Sequence, residues 1–175
     1  MCSGVTALSN GHYVVRSRYW SSGTAASAGA ATWGDGADGT AGVVSAANSF
    51  VGQKPGESTG ESVVALTNGN YVVLSPLWQD GSLESVGATT LLIGNGPAPG
   101  VVDPSISLVG LSADDSSGVA VTALSNGNYV VATPRWDNGA TVDAGAVTWG
   151  SGVDGVAGFI SPANSLVGTT AEDQI

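Results

Sequence analysis

The sequence predicts an all-β protein built from three tandem repeats. The string LSNGHYVV at 8–15 returns as LTNGNYVV at 66–73 and as LSNGNYVV at 124–131, a step of 58 residues each time. Short runs rich in Val, Thr and Tyr alternate with Gly, Asn and Ser, which is typical of strands separated by turns. No stretch shows the apolar period of about 3.6 residues that marks a helix. A fixed period of this length indicates one supersecondary structure that is copied along the chain.

The repeats divide the chain into residues 1–58, 59–116 and 117–175, hereafter the first, middle and last repeats. A second string marks the end of each one: NSFVG at 48–52, ISLVG at 106–110 and NSLVG at 164–168. We expect the three repeats to form one repeat domain that is a segment of a longer array.

Each repeat begins with a predicted hairpin. In the first repeat, β-rich runs flank Asn10-Gly11, which is a strong signal for a two-residue type I′ turn. In that register Leu8 lies opposite Tyr13 and Ala7 lies opposite Val14. Both faces of such a hairpin are mostly apolar, so we expect neighbouring structure on both sides rather than one face in water.

Further runs at 29–33, 43–45 and 49–51 raise the expected number of strands to three or four in each repeat. Four short antiparallel strands with two apolar faces are typical of a β-propeller blade. Two other architectures stay open, namely an open β-superhelix or solenoid and a closed threefold fold of the β-trefoil type.

The charge of the chain argues against several partners. There are 4 Lys and Arg against 14 Asp and Glu, giving a net charge of −10. Nucleic acids and anionic membranes both require cationic side chains to neutralise phosphate, so neither is expected as a partner. No apolar run approaches the roughly 20 residues of a membrane span, so membrane insertion is not expected either. Cys2 is the single cysteine, which excludes a disulfide within the chain.

The sequence does not predict an enzyme. His12 is the single histidine and lies in the first hairpin turn, where the other repeats have Asn70 and Asn128. A nucleophile–base–acid set cannot be assembled from one turn histidine. Phosphate-binding and zinc-protease motifs are also absent. We therefore expect no catalytic residues.

Calcium is the one metal that the sequence suggests, and no other cofactor is indicated. Aspartates recur in Gly-containing turns, and Ca²⁺ takes about six to eight oxygen ligands. The alternative is that Asp before Gly simply favours a turn. The candidate ligands are Asp35, Asp38, Asp80, Asp137 and Asp154.

Tryptophans also recur at the repeat step, and they have two interpretations. An exposed indole can stack on a sugar ring, which would make a glycan site. A buried indole instead contributes a large apolar area to packing between repeats. The candidate glycan-binding residues are Trp20, Trp78 and Trp136 at one position, and Trp33 and Trp149 at another.

The motifs NGNYVV, AGAVTWG at 144–150 and NSLVG at 164–168 together resemble the repeat of long bacterial surface proteins of the filamentous-haemagglutinin type. The middle repeat departs from this pattern at Leu91-Leu92-Ile93, which lacks the tryptophan. The resemblance implies secretion, display outside the cell or at its surface, and a stalk or adhesin role.

Two functions follow as expectations. The first is a non-catalytic extracellular module that acts as a structural stalk, adhesin stalk or self-assembling scaffold and associates with itself through the repeat ends. The second is a carbohydrate-binding module for a cell-surface glycan, which would use the repeated Trp, Asp and Asn loops.

Overall fold

A computed structural model describes residues 4–175, so Cys2 lies outside the described residues. It confirms the all-β prediction, because the elements of the described chain are strands. In the first repeat they are β1 (Gly4–Ala7), β2 (Tyr13–Arg16), β3 (Ala30–Gly34) and β4 (Ser49–Val51). In the middle repeat they are β5 (Ser62–Ala65), β6 (Tyr71–Ser75), β7 (Ala88–Leu92), β8 (Gly100–Val101) and β9 (Ser107–Val109). In the last repeat they are β10 (Ala120–Ala123), β11 (Tyr129–Thr133), β12 (Ala146–Gly150), β13 (Gly158–Phe159) and β14 (Ser165–Val167).

Each repeat contributes four antiparallel strands to a sheet of its own. The strand orders are β1-β2-β3-β4, β5-β6-β7-β9 and β10-β11-β12-β14. The sheets stay separate and do not close into a barrel, so the closed threefold alternative is wrong. Within residues 4–175 there is also no helix long and apolar enough to cross a membrane.

Two short strands leave their own repeat and join the sheet before it. β8 of the middle repeat pairs in parallel with β4, and Val51 lies opposite Val101. β13 of the last repeat pairs in parallel with β9, and Val109 lies opposite Phe159. Residues 43–45, which the sequence predicts as a strand, are the segment of the first repeat that is equivalent to β8 and β13. Within residues 4–175 no strand pairs with it, so that prediction was wrong for the first repeat.

The first hairpin is present, but its turn type and register differ from the prediction. Ala7 lies opposite Tyr13, one residue away from the expected pairing. Leu8 N–H donates to the carbonyl of His12 at 2.8 Å, and Gly11 N–H donates to that of Leu8 at 3.1 Å. Gly11 has a φ of 91°. This is a three-residue loop, a type I turn followed by a left-handed glycine that forms a bulge.

The shifted register changes which side chains share a face. Leu8 now lies on the same face of the sheet as Val14, and we call this face, with its equivalents in the other repeats, the trailing face. Tyr13 and Val15 lie on the opposite face, which we call the leading face. The type I′ prediction failed because Asn10 is not in the left-handed region. Its side-chain Oδ1 instead accepts the N–H of His12 at 3.2 Å, which stabilises the tighter turn.

The sheets pack so that the trailing face of one repeat covers the leading face of the next. One core joins the first repeat to the middle one through Leu8, Val14, Trp33 and Phe50 on one side and Tyr71, Val73, Trp78 and Val109 on the other. A second core joins the middle repeat to the last through Leu66, Val72, Leu74 and Leu108 on one side and Tyr129, Val131, Trp136 and Ile160 on the other. The sheet of the middle repeat is therefore covered on both faces, and β6 is buried along its whole length.

Candidate functional site at the repeat interfaces

Three of the five tryptophans occupy one position of the leading face, just after the second strand of each repeat. Trp78 and Trp136 are buried in the two cores, and Trp20 is half-buried on the first repeat. A turn holds the backbone of each buried tryptophan. The backbone N–H of Trp78 donates to the carbonyl of Ser75 at 3.0 Å, and that of Trp136 donates to the carbonyl of Thr133 at 3.1 Å. A buried indole contributes packing area and offers no open ring face to a sugar.

The other two tryptophans occupy one position of the trailing face but lie in different surroundings. Trp33 is 8% exposed, and its indole Nε1 donates to the carbonyl of Gly94 in the middle repeat at 2.9 Å. Trp149 of the last repeat is 55% exposed. The middle repeat has Leu91 here, a half-buried residue that packs against the second core. This position therefore joins one repeat to the next wherever a next repeat covers it.

Asparagine side chains of the hairpin turns also reach the next repeat. Asn10 Nδ2 donates to the Gly94 carbonyl at 2.9 Å, and Asn68 Nδ2 donates to the Gly152 carbonyl at 2.7 Å. A Cβ on Gly94 or Gly152 would lie within 1.8 Å of a hairpin carbonyl of the same repeat, so only glycine fits there. The NG motif thus serves an interface as well as a turn, which the sequence alone did not reveal.

The residue after the NG motif ties the hairpin to this glycine turn within each repeat. Gly36 N–H donates to His12 Nδ1 at 3.2 Å. Asn70 Oδ1 and Asn128 Oδ1 accept the equivalent N–H groups of the other repeats at 3.1 and 3.0 Å. The imidazole and the two amides therefore supply the same thing, a hydrogen-bond acceptor. This agrees with the interpretation of His12 as a turn residue.

The five aspartates proposed as calcium ligands lie in four separate turns. Asp35 accepts the N–H of Ala37 at 2.9 Å, a bond that lowers the pKa of its carboxyl, and Asp38 is exposed in the same loop. Asp80 closes a different turn with Leu83. Asp137 and Asp154 each bond within the last repeat, to the N–H of Asp143 at 2.9 Å and to the hydroxyl of Ser151 at 3.4 Å. In the described part of the chain no three His, Cys, Asp or Glu side chains come together as metal ligands. Calcium binding stays a hypothesis.

A different set of carboxylates holds the connections between repeats, and the sequence analysis missed it. Glu57, Asp115 and Asp173 recur at the repeat step. Asp115 Oδ2 accepts the N–H groups of Leu111 and Ser112, both at 2.7 Å. Glu57 accepts those of residues 53 and 54, and Asp173 those of residues 169 and 170, all between 2.6 and 3.0 Å. The signal was present in the spacing of the acidic residues, but a single carboxylate in a polar loop resembles any solvated charge.

Asp115 also bridges two repeats. Its Oδ1 accepts the backbone N–H of Asp137 at 3.1 Å, and Asp115 is only 1% exposed. Burial raises the pKa of this carboxyl, although the N–H groups of Ser112 and Leu111 act in the opposite direction. Because the pKa is higher in the folded chain than in the unfolded chain, the group favours folding at low pH. That contribution is lost as the pH rises through the folded-state pKa.

The chain belongs to the family described as "Repeat of unknown function (DUF5650)", whose model matches residues 7–61, 65–119 and 123–175. The match confirms three tandem repeats. It contains nothing that relates the chain to filamentous haemagglutinins. No curated protein matches the chain.

Trp33→Ala and Trp149→Ala form a matched pair that tests the interface position. We expect Trp33→Ala to lower the free energy of unfolding by about 3–5 kcal/mol, because it removes a buried indole from the first core. Trp149→Ala should cost less than about 1 kcal/mol in dilute solution, since most of this ring is in water. Urea denaturation of both variants measures the difference, and equal losses would contradict the assignment.

Asp115→Ala tests the carboxylate that anchors the connection. We expect a loss of about 2–4 kcal/mol in the free energy of unfolding, because the backbone N–H groups of residues 111, 112 and 137 lose a buried acceptor. Asp38→Ala is the control, an exposed aspartate that should change stability by less than about 0.5 kcal/mol. Thermal melts of the two variants at neutral pH make the comparison. A melt of Asp115→Ala that coincides with that of the control would show that the anchor is dispensable.

Proposed function

We propose that this chain, as a member of that repeat family, is a non-catalytic extracellular module that acts as a structural stalk or self-assembling scaffold. One observation carries the proposal. Side chains that recur at the repeat step, such as Trp78 and Trp136 or Asn10 and Asn68, join neighbouring repeats to each other.

The joints are alike at both steps of the chain. In each, a parallel two-residue strand is added to the preceding sheet. In each, an asparagine of the earlier hairpin bonds a glycine carbonyl of the next repeat. In each, a tryptophan of the leading face lies in the core between the sheets. An interface that is repeated in this way can extend a structure by adding copies, which is the requirement for a stalk.

Display outside the cell is proposed from the resemblance of NGNYVV, AGAVTWG and NSLVG to repeats of the filamentous-haemagglutinin type. The chemistry of the surface is compatible with that location. The net charge of −10 keeps an extended array soluble and disfavours binding to phosphate groups. Adhesion by such a stalk is part of the same proposal.

A carbohydrate-binding function is the second candidate, and the exposed indole of Trp149 favours it. A surface groove of about 330 Å³ lies beside this ring and is lined also by Val147, Pro162, Asn164 and Leu166. An exposed indole beside apolar side chains can stack on a sugar ring. The amide of Asn164 is bonded within its own turn, where Nδ2 donates to the Phe159 carbonyl at 3.0 Å, so the indole is the group that carries this candidate.

A glycan array separates the two candidates. The structural proposal predicts that no glycan binds the wild-type chain better than it binds Trp149→Ala. The matched control is Leu83→Ala, which removes an exposed apolar side chain from a turn of the middle repeat. Micromolar binding of one glycan class that is lost in Trp149→Ala and kept in Leu83→Ala would overturn the structural proposal in favour of the carbohydrate-binding one.

A further inference from the structure

The trailing face of the last repeat is apolar and uncovered. Leu166 is 74% exposed, whereas Phe50 and Leu108 occupy the same position in the other repeats and are 1% and 0% exposed. Val130 is half-buried at a position where Val14 is fully buried. Within residues 4–175, β14 pairs with β12 alone, so it is also the edge of its sheet. An apolar face beside an open strand edge is a surface that favours strand addition.

The leading face of the first repeat is open in the complementary way. Tyr13 and Val15 are half-buried there, whereas Tyr71 and Val73 are completely buried at the same positions of the middle repeat. A cavity of about 120 Å³ on this face is lined by Tyr13, Val15, Thr32 and residues 40–44. Val43 is 84% exposed. It lies in the segment that the other two repeats use as the added strand.

We propose that the trailing face of the last repeat binds the leading face of the first repeat of a second copy of this chain. The proposal rests on the structural function above and names its partner. Both interfaces between repeats within the chain have this form. One chain also carries the two surfaces that a further interface of the same kind needs. The interface is heterologous, so it yields a ring where the rotation between copies closes and a filament where it does not.

The internal joints fix the register of the added strand. In them Phe50 lies opposite Gly100 and Leu108 lies opposite Gly158. The same register places Gly42 of the second copy opposite Leu166, and Val43 opposite Val167. The edge of β14 would then be filled by residues 42–44 in parallel, as β13 fills the edge of β9.

The polar contacts of the internal joints have their counterparts as well. The Gly36 carbonyl of the second copy stands where the Gly94 carbonyl receives the indole N–H of Trp33. Gly36 lies in the same tight turn, since a Cβ there would meet the Gly11 carbonyl at 1.7 Å. Trp149 and Asn126 are the donors that would reach it. The exposed ring that resembles a sugar platform is therefore the side chain that the next copy covers.

Light scattering on the wild-type chain and two matched variants tests the association. Leu166→Lys places a charge on the open trailing face, and Val142→Lys places it on an exposed loop of the same repeat. We expect the wild-type mass to rise from 17.1 kDa with concentration. Leu166→Lys should raise the dissociation constant at least tenfold, and Val142→Lys should change it less than threefold. Because each chain carries a net charge of −10, added salt should strengthen association.

Engineered disulfides test the register. In a background with Cys2→Ser, chains carrying Val43→Cys are mixed with chains carrying Val167→Cys under mild oxidation. We expect a mixed dimer as the main product, because adjacent parallel strands bring opposite Cα atoms within disulfide range. Chains carrying Val142→Cys replace the Val167→Cys chains in the control, which should cross-link at least tenfold more slowly.

The outcomes distinguish this inference from the function on which it rests. A wild-type chain that stays at 17.1 kDa at every concentration would overturn the inference. Equal effects of Leu166→Lys and Val142→Lys, or equal cross-linking to residues 167 and 142, would overturn it too. A chain that stays monomeric would remove the self-assembling form of the structural proposal and leave the stalk form standing, whereas Trp149-dependent glycan binding would overturn the structural proposal as a whole.

Discussion

The structure depends on one constraint, which is that each sheet has two apolar faces and therefore cannot be stable alone. A four-stranded sheet with Tyr13, Val15 and Trp20 on one side and Leu8, Val14 and Trp33 on the other would expose a large apolar area in isolation. Stacking removes that area from water, and at about 25 cal/mol per Å² this is the main favourable contribution to folding. The middle repeat satisfies the constraint on both faces, and each terminal repeat satisfies it on one. The proposed association uses the same kind of surface as folding.

Polar side chains decide how the sheets are aligned, because apolar packing by itself has no direction. The hairpin asparagines and Trp33 donate to glycine carbonyls of the next repeat. The buried carboxylates hold the connections by accepting backbone N–H groups that would otherwise be unpaired. The added strands β8 and β13 extend the neighbouring sheet by a parallel pair. Together these contacts fix the distance and register between repeats, so a substitution at one of them affects two repeats at once.

The sequence was sufficient for the features that depend on local periodicity. The repeats, the hairpins and the need to cover both faces follow from copied motifs and apolar runs. The NG motif fits both a type I′ turn and a type I turn with a bulge. The last repeat has the same bulged turn without a following repeat, so the choice is made within the hairpin, where Asn126 Oδ1 accepts the N–H of Asn128. The sequence was insufficient where long-range contacts decide. Residues 43–45 have strand character, but the equivalent segments of the other repeats pair with the preceding sheet, and within residues 4–175 no strand pairs with residues 43–45. In the sequence Asp115 resembles a solvated surface charge, because its three backbone N–H donors come together around it only in the fold.

Hydrogen exchange at two equivalent backbone amides tests the central claim, that each repeat completes the sheet before it. Ile160 N–H donates to the Val109 carbonyl of the middle repeat at 3.0 Å. Val44 occupies the same position of the first repeat, where no strand in residues 4–175 receives it. In dilute solution the claim predicts that the amide of Ile160 exchanges at least a hundredfold more slowly than that of Val44, after correction for intrinsic rates. Equal protection of the two amides would contradict it, since the added strand would then not depend on the neighbouring repeat.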